Sequence, residues 1–220
     1  MAAYKNLQIK SGLPIKEILD VDSIILSKKL SLESFKALAV NFPNLRMERD
    51  KNGKTTIMSP VNFGTGKREI RVSVYLGSWW IANDEIGELF SPSTAIQLKD
   101  TSVKCPDAGW ISEERLALNP VENEEDNFLK VAPDFIVEVK SKSDSLRKLK
   151  KKMADSWIKN GVRLAWLIDP YKQKAYIYRE GEEKPEEVKG FDNTFLDGEE
   201  IVKGFKLPLE KFKIFNRKKS

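Results

Sequence analysis

The chain has 220 residues, 40% of them hydrophobic and 32% charged, with a formal net charge of +5. That length suits one domain, or a domain with a small appendage, and can bury a core without staples. Zero histidines and a single cysteine, Cys105, exclude histidine-based nucleophile systems, histidine zinc sites and any intrachain disulfide.

The chemistry left to the chain uses carboxylates, lysines, hydroxyls or a hard cation. The start, Met1 to Lys10, lacks the sustained apolar core of a signal peptide, and no run approaches 18 apolar residues. The expectation is a cytoplasmic chain with no membrane partner. A mildly basic balance suits a polyanion partner without requiring one.

Residues 1–30 are weakly patterned and read as a peripheral helix and turn. Leu32 to Val40 reads as a helix with Phe35, Leu38 and Ala39 on one face and Ser31 as N-cap. Leu45–Arg49 and Lys54–Met58 flank Asn52-Gly53, a hairpin signal. Gly64-Thr65-Gly66 reads as a loop before a helix over 67–83. In that helix Ile70, Val74, Gly77 and Ile81 repeat at helical spacing and are expected to face the core.

Strands are expected near 87–90, 95–98 and 107–112, followed by an exposed acidic loop over 113–129. Pro133 to Lys140 reads as a strand in which Asp134, Ile136, Glu138 and Lys140 share one face. A helix then runs from Asp144 to Gly161, with Leu146, Leu149, Met153 and Trp157 buried. Arg163–Ile168 and Lys174–Tyr178 form a hairpin, and a short strand or two follow Ile201. This order predicts an α/β fold with a mixed central β-sheet flanked by helices.

An acid and an amine on one face of a buried strand are costly unless paired. Asp107, Glu138 and Lys140 together suit metal-dependent phosphodiester hydrolysis. Mg²⁺ takes one or two carboxylates plus waters, so Asp107 and Glu138 serve as ligands with the Val139 carbonyl as a third. Lys140 would orient the attacking water and offset charge on the phosphate. From spacing alone the simpler reading is a solvated sheet face with a cross-strand ion pair.

Several blocks change that balance. They are Met58-Ser59-Pro60, Pro106-Asp107-Ala108-Gly109-Trp110-Ile111-Ser112, Pro133 through Ser141 with Ser143-Asp144, Gly161 through Pro170, and Gly204-Phe205-Lys206-Leu207. In this order they resemble the Uma-two type endonuclease family of the PD-(D/E)XK restriction-endonuclease-like superfamily. The resemblance implies a restriction-endonuclease-like core over residues 31–212, between an N-terminal extension (1–30) and a basic tail (213–220). It implies Mg²⁺- or Mn²⁺-dependent cleavage of DNA, with the family's acids at Asp107 and Glu138 and its lysine at Lys140.

The resemblance also matches Lys152 to a lysine of the next helix. It brings in Glu69 as a candidate acid from the first long helix, although another register puts that position at Arg71. Asp134 reads as a supporting acid or simply as the residue that opens its strand. Lys67, Arg68 and Lys148 are candidate DNA contacts, and a homodimer would most simply cut both strands. A module with the same fold that binds DNA without turnover is the alternative.

Overall fold

The computed structural model describes residues 23–118, 120 and 127–214. The extension before Ser23, most of the acidic stretch expected as a loop and the end of the basic tail therefore lie outside the described residues.

The elements in chain order begin with β1 (Ser23–Ile25), α1 (Leu32–Asn41), β2 (Met47–Arg49), β3 (Thr55–Met58) and α2 (Phe63–Ala82). Next come β4 (Glu88–Phe90), β5 (Ile96–Gln97), β6 (Val103–Lys104), β7 (Ala108–Ile111), α3 (Glu113–Leu118) and β8 (Phe135–Val139). The chain continues through α4 (Leu146–Lys152), β9 (Leu164–Asp169), β10 (Lys174–Arg179), β11 (Glu186–Lys189), β12 (Phe195–Asp197) and β13 (Lys206–Pro208).

The main sheet is open and mixed, in the order β11-β10-β9-β8-β7-β4, with one parallel pair, β8 and β9. A parallel pair needs a crossover, and α4 with the turns that follow it supplies one. A second, all-antiparallel sheet, β1-β3-β2-β6-β5, lies beside the first. The mixed central sheet expected from the sequence is the six-stranded one, and the second sheet and the small β12-β13 pair add to it. Ser23 to Ile25, read as part of a peripheral helix and turn, form an edge strand of the second sheet.

Local signals explain many of these elements. Ser31 caps α1 by accepting from the Ser34 N–H at 3.1 Å. Gly53 takes φ +86° in the hairpin turn between β2 and β3, a conformation that favours glycine. Asn62 caps α2 by accepting from the Thr65 N–H at 3.1 Å, so Gly64, Thr65 and Gly66 form the first helical turn and not a loop. Glu113 to Leu118, expected within an exposed loop, form the short helix α3. After Lys152 a π turn (Met153–Trp157) and a 3₁₀ turn (Ile158–Asn160) follow, and Gly161 ends them at φ +104°.

Two apolar layers hold the main sheet. On one side, Val72 and Leu76 of α2 pack with Phe135, Val137, Val139, Trp166 and Phe205. On the other, Met153 and Trp157 pack with Ile136, Ala165 and Leu167. β8 is buried on both faces, with alternate residues in the two layers. The α2 stripe expected in the core faces solvent instead: Ile70, Val74 and Ile81 are exposed, and the buried residues are Thr65, Arg68, Val72 and Leu76. The helix carries two apolar faces, and periodicity alone does not say which one meets the sheet.

Candidate active site

The carboxyl end of β8 opens into a cavity of about 440 Å³. Glu69 of α2, Asp107 just before β7, Glu138 and Val139 of β8, and Lys148 and Lys152 of α4 all line it. Arg46 and Glu48, from the second sheet, close another wall. Strand alternation explains the layout. Phe135, Val137 and Val139 fill the α2 layer, so Glu138 turns toward the side on which α4 ends.

Asp107 is buried and held through both oxygens. Oδ1 accepts from Arg46 Nη2 at 3.1 Å, and Oδ2 accepts from the Val139 N–H at 2.8 Å. Lys140 donates its own N–H to the Ile168 carbonyl at 2.9 Å. Backbone groups alternate along a strand, so the Val139 carbonyl turns toward the β7 side, where Asp107 projects.

Glu138 is buried beside an amine, but the amine is Lys152 and not Lys140. Lys152 Nζ donates to Glu138 Oε1 at 2.7 Å and to Glu48 Oε1 at 2.8 Å. Trp157 Nε1 donates to the same Glu138 oxygen at 2.9 Å. Burial works against the Lys152 charge, but Glu138 and Glu48 more than offset it and raise its pKa. Burial weakens Glu138 as an acid; Lys152 opposes this, while Asp107 and Glu48 reinforce it. The direction for Glu138 is up, because two other carboxylates share its enclosure.

Glu48 behaves oppositely. Burial would raise its pKa, but Lys152 and Lys104 hold it at about 2. Lys104 Nζ lies 3.2 Å from Oε2, and the Cys105 N–H donates to Oε1 at 3.2 Å. Glu69, half-buried, has its pKa pushed up to about 7, first by burial and then by the Asp107 charge. Burial also pushes the Cys105 thiol to about 12, so it is no nucleophile near neutral pH.

Most of the remaining residues expected at the site lie apart from it. Lys140 Nζ donates to the Ser141 carbonyl at 2.8 Å and sits 4.9 Å from the Tyr171 ring centroid. It does not line the cavity. Arg68 is buried with its guanidinium 5.7 Å from the same Tyr171 ring centroid, and Lys67 is exposed over Phe63. Lys148 does line the cavity. Asp134 lies at the opposite end of β8, where it accepts from the Ser112 N–H at 2.8 Å and pairs with Arg115 and Arg163 at 3.3 and 3.1 Å.

Two residues of the site were not anticipated, Arg46 and Glu48. The signal was present: in a hairpin strand with Met47 facing inward, Arg46 and Glu48 share the other face. A groove of about 660 Å³ adjoins the cavity and shares Glu48, Lys54, Lys148 and Lys152 with it. Lys51, Lys104, Lys151 and Lys159 extend its basic lining.

No group of three histidine, cysteine, aspartate or glutamate side chains is placed to hold a metal among the described residues. What the donor set offers is two buried carboxylates, a backbone carbonyl and a nearby third acid, all hard oxygen donors. That set fits Mg²⁺ or Mn²⁺ and does not fit zinc or copper.

The family model described as "Uma2: Putative restriction endonuclease" matches residues 32–210. Among solved structures, one described as "a putative nuclease belonging to DUF820 from Anabaena variabilis ATCC 29413" superposes with a TM-score of 0.65. It is 20% identical, and the match covers 83% of this chain and 97% of that one. A search of the curated proteins returns no match.

Proposed function

This chain belongs to the Uma2 family, and from that premise we propose that it is a Mg²⁺- or Mn²⁺-dependent DNA endonuclease. One observation carries the reading. Glu69, Asp107 and Glu138, from three separate elements, line one cavity, and although Arg46 and Lys152 now partner two of them, these carboxylates are the hard oxygen donors that a divalent ion takes.

Asp107, Glu138 and the Val139 carbonyl would hold the ion. When bound, it would neutralise phosphate charge and acidify a water. The protein's own groups supply the rest. The Val139 N–H and Arg46 fix the Asp107 carboxylate, and Trp157 and Lys152 fix Glu138. Lys152 brings positive charge to a phosphate in the cavity and stays protonated there. Glu69, whose pKa is pushed up to about 7 in the ion-free protein, lines the same cavity from α2 and is the candidate proton acceptor there. Lys140 reaches the cavity only if it leaves Tyr171, which makes its role separable from that of Lys152 by mutation. The lysine-lined groove beside the cavity suits a phosphate backbone.

The test is a metal-by-substrate cleavage panel. Purified protein is expected to cut DNA with Mg²⁺ or Mn²⁺, and Asp107→Ala and Glu138→Ala to remove cutting. Activity unchanged from that of the parent chain in both variants would sink the assignment.

A second reading, a DNA-binding module without turnover, has its own support. Arg46 and Lys152 already occupy carboxylate oxygens that a metal would need. Calorimetry with Mn²⁺ separates the two readings. The nuclease binds the ion and Asp107→Ala does not, whereas the module binds DNA in a salt-sensitive manner and takes up no ion.

A further inference from the structure

We propose that Arg46 is an exchangeable cation of the cavity. It neutralises Asp107 while the metal ion is absent, and it turns to a DNA phosphate once the ion takes its place. The proposal rests on the nuclease reading and adds to it a substrate-binding residue from outside the main sheet.

The observation is how loosely Arg46 is held. Its Nη2 donates to Asp107 Oδ1 at 3.1 Å and reaches the Cys105 carbonyl only at 3.5 Å. Its Nε is buried with no partner among the described residues. A half-buried guanidinium that uses so few of its N–H donors is poorly satisfied where it lies. Arg49, at the end of β2, shows the contrast: its Nε and Nη1 donate to the Leu30 and Thr101 carbonyls at 2.9 and 2.7 Å. Lys152 is fixed too, between Glu48 and Glu138 at 2.8 and 2.7 Å. The Arg46 side chain is 25% exposed and that of Lys152 17%. Of the two cations paired with the cavity's acids, Arg46 therefore leaves at the lower cost.

The oxygen it covers is the one an ion needs. Asp107 Oδ2 is taken by the Val139 N–H at 2.8 Å, a bond built into the sheet, so Oδ1 is the oxygen left for the cavity. Arg46 and a divalent ion compete for that atom, and like charges so close repel strongly in a half-buried site. Arg46 stands just before β2 and lines the same cavity as Asp107 and Glu138. Freed from Asp107, its planar fork suits two oxygens of one phosphate. The displaced charge thus stays in the cavity, where the substrate brings the next anion.

The experiment is a calorimetric titration of Mn²⁺ into the full chain without DNA. Arg46→Gln, which keeps an N–H donor but no charge, is expected to bind the ion at least about tenfold tighter than the wild-type chain. Arg46→Lys is expected to bind it about as the wild type does. Anisotropy of a labelled duplex with cleavage-resistant phosphorothioate linkages reads the second half. Arg46→Gln is expected to match the wild type on this duplex without ion, and to bind at least about tenfold more weakly with saturating Mn²⁺. Circular dichroism and melts check the fold, and Arg46→Met repeats both titrations if the glutamine variant melts early. A tighter grip on the ion is a gain that misfolding does not produce. Equal or weaker Mn²⁺ affinity in the uncharged variants overturns the proposal and leaves the nuclease reading standing. So does a duplex affinity in Mn²⁺ that they leave unchanged. No uptake of Mn²⁺ by any of the chains overturns both.

Discussion

The main-chain N–H of Val139 donates to Asp107 Oδ2 at 2.8 Å, so the side chain of one strand's entry residue completes the backbone pairing of the next strand. Asp107 also donates its own N–H to the Val137 carbonyl at 3.1 Å. The acid is thereby part of the sheet as well as part of the cavity. Its replacement has two separable consequences. Asp107→Asn keeps an oxygen acceptor for Val139 and is expected to abolish cleavage with a loss of about 1 kcal/mol in stability. Asp107→Ala leaves the Val139 N–H without its acceptor and the half-buried Arg46 without its carboxylate, with only the Cys105 carbonyl at 3.5 Å to receive it, and is expected to cost about 3 kcal/mol. Urea denaturation alongside the cleavage assay checks both.

The two lysines near Glu138 are expected to behave differently. Removing Lys152 leaves Glu48 and Glu138 buried without their shared cation, a loss of about 3–5 kcal/mol by the usual cost of breaking a buried pair. Lys140 donates to one carbonyl and rests over Tyr171, so Lys140→Ala is expected to cost about 1 kcal/mol. Thermal melts of the two variants give the comparison. A cleavage defect in Lys140→Ala with an unchanged melt would identify a lysine that works only after leaving its ring.

The three acids set a pH profile. For Glu48 the folded pKa of about 2 lies below the ordinary 4.5. Its contribution, about 3 kcal/mol, is present above pH 4.5 and lost as pH falls toward 2. For Glu69 the folded value of about 7 lies above 4.5. Its relative contribution is full below pH 4.5 and is lost as pH rises through 7; solvent screening of this half-exposed group reduces it to about 1 kcal/mol. Glu138 shifts in the same direction as Glu69. The site therefore favours folding most near pH 4.5–5. Glu69→Gln is expected to flatten the decline between pH 5 and 8 in denaturant titrations; an unchanged slope would show that Glu69 titrates normally.

Gly109 sits on β7 between β4 and β8. A Cβ there would lie 2.4 Å from the Phe90 ring and 2.9 Å from the Phe135 carbonyl. Phe90 can turn, but the backbone of β8 must move. Gly109→Ala is expected to cost about 1–3 kcal/mol as an overpacked core, and to lower cleavage because β8 carries Glu138. A melt unchanged within error would argue against this packing.

The sequence made β8 readable because its alternation, its Pro-Asp start and its burial all agree. The Asn52-Gly53 hairpin and the Gly161 helix stop were readable for the same reason: each rests on a backbone conformation that few residues adopt. The orientation of α2 was not, because Ile70-Val74-Ile81 and Val72-Leu76 are equally good stripes. Glu48 was not, because what makes it a site residue is Lys152, 104 positions away. The swap of Lys152 for Lys140 beside Glu138 was hidden likewise. Alternation puts Lys140 on the same face, but the strand ends at Val139 and the side chain beyond it follows Tyr171.

Asp134 lies at the far end of β8, remote from the cavity, and this is its importance. Ser112, Arg115 and Arg163 hold its carboxylate, and the Arg163 and Leu164 N–H groups meet its carbonyl at 3.1 and 3.0 Å. These contacts pin the strand against sliding. A slip of one residue would exchange its two faces, turning Glu138 into the aromatic layer of Trp166 and Phe205 and sending a valine to the cavity. The reach of the site is thus set about 13 Å from it, by a peg that touches no substrate and decides which side of the sheet the chemistry is on.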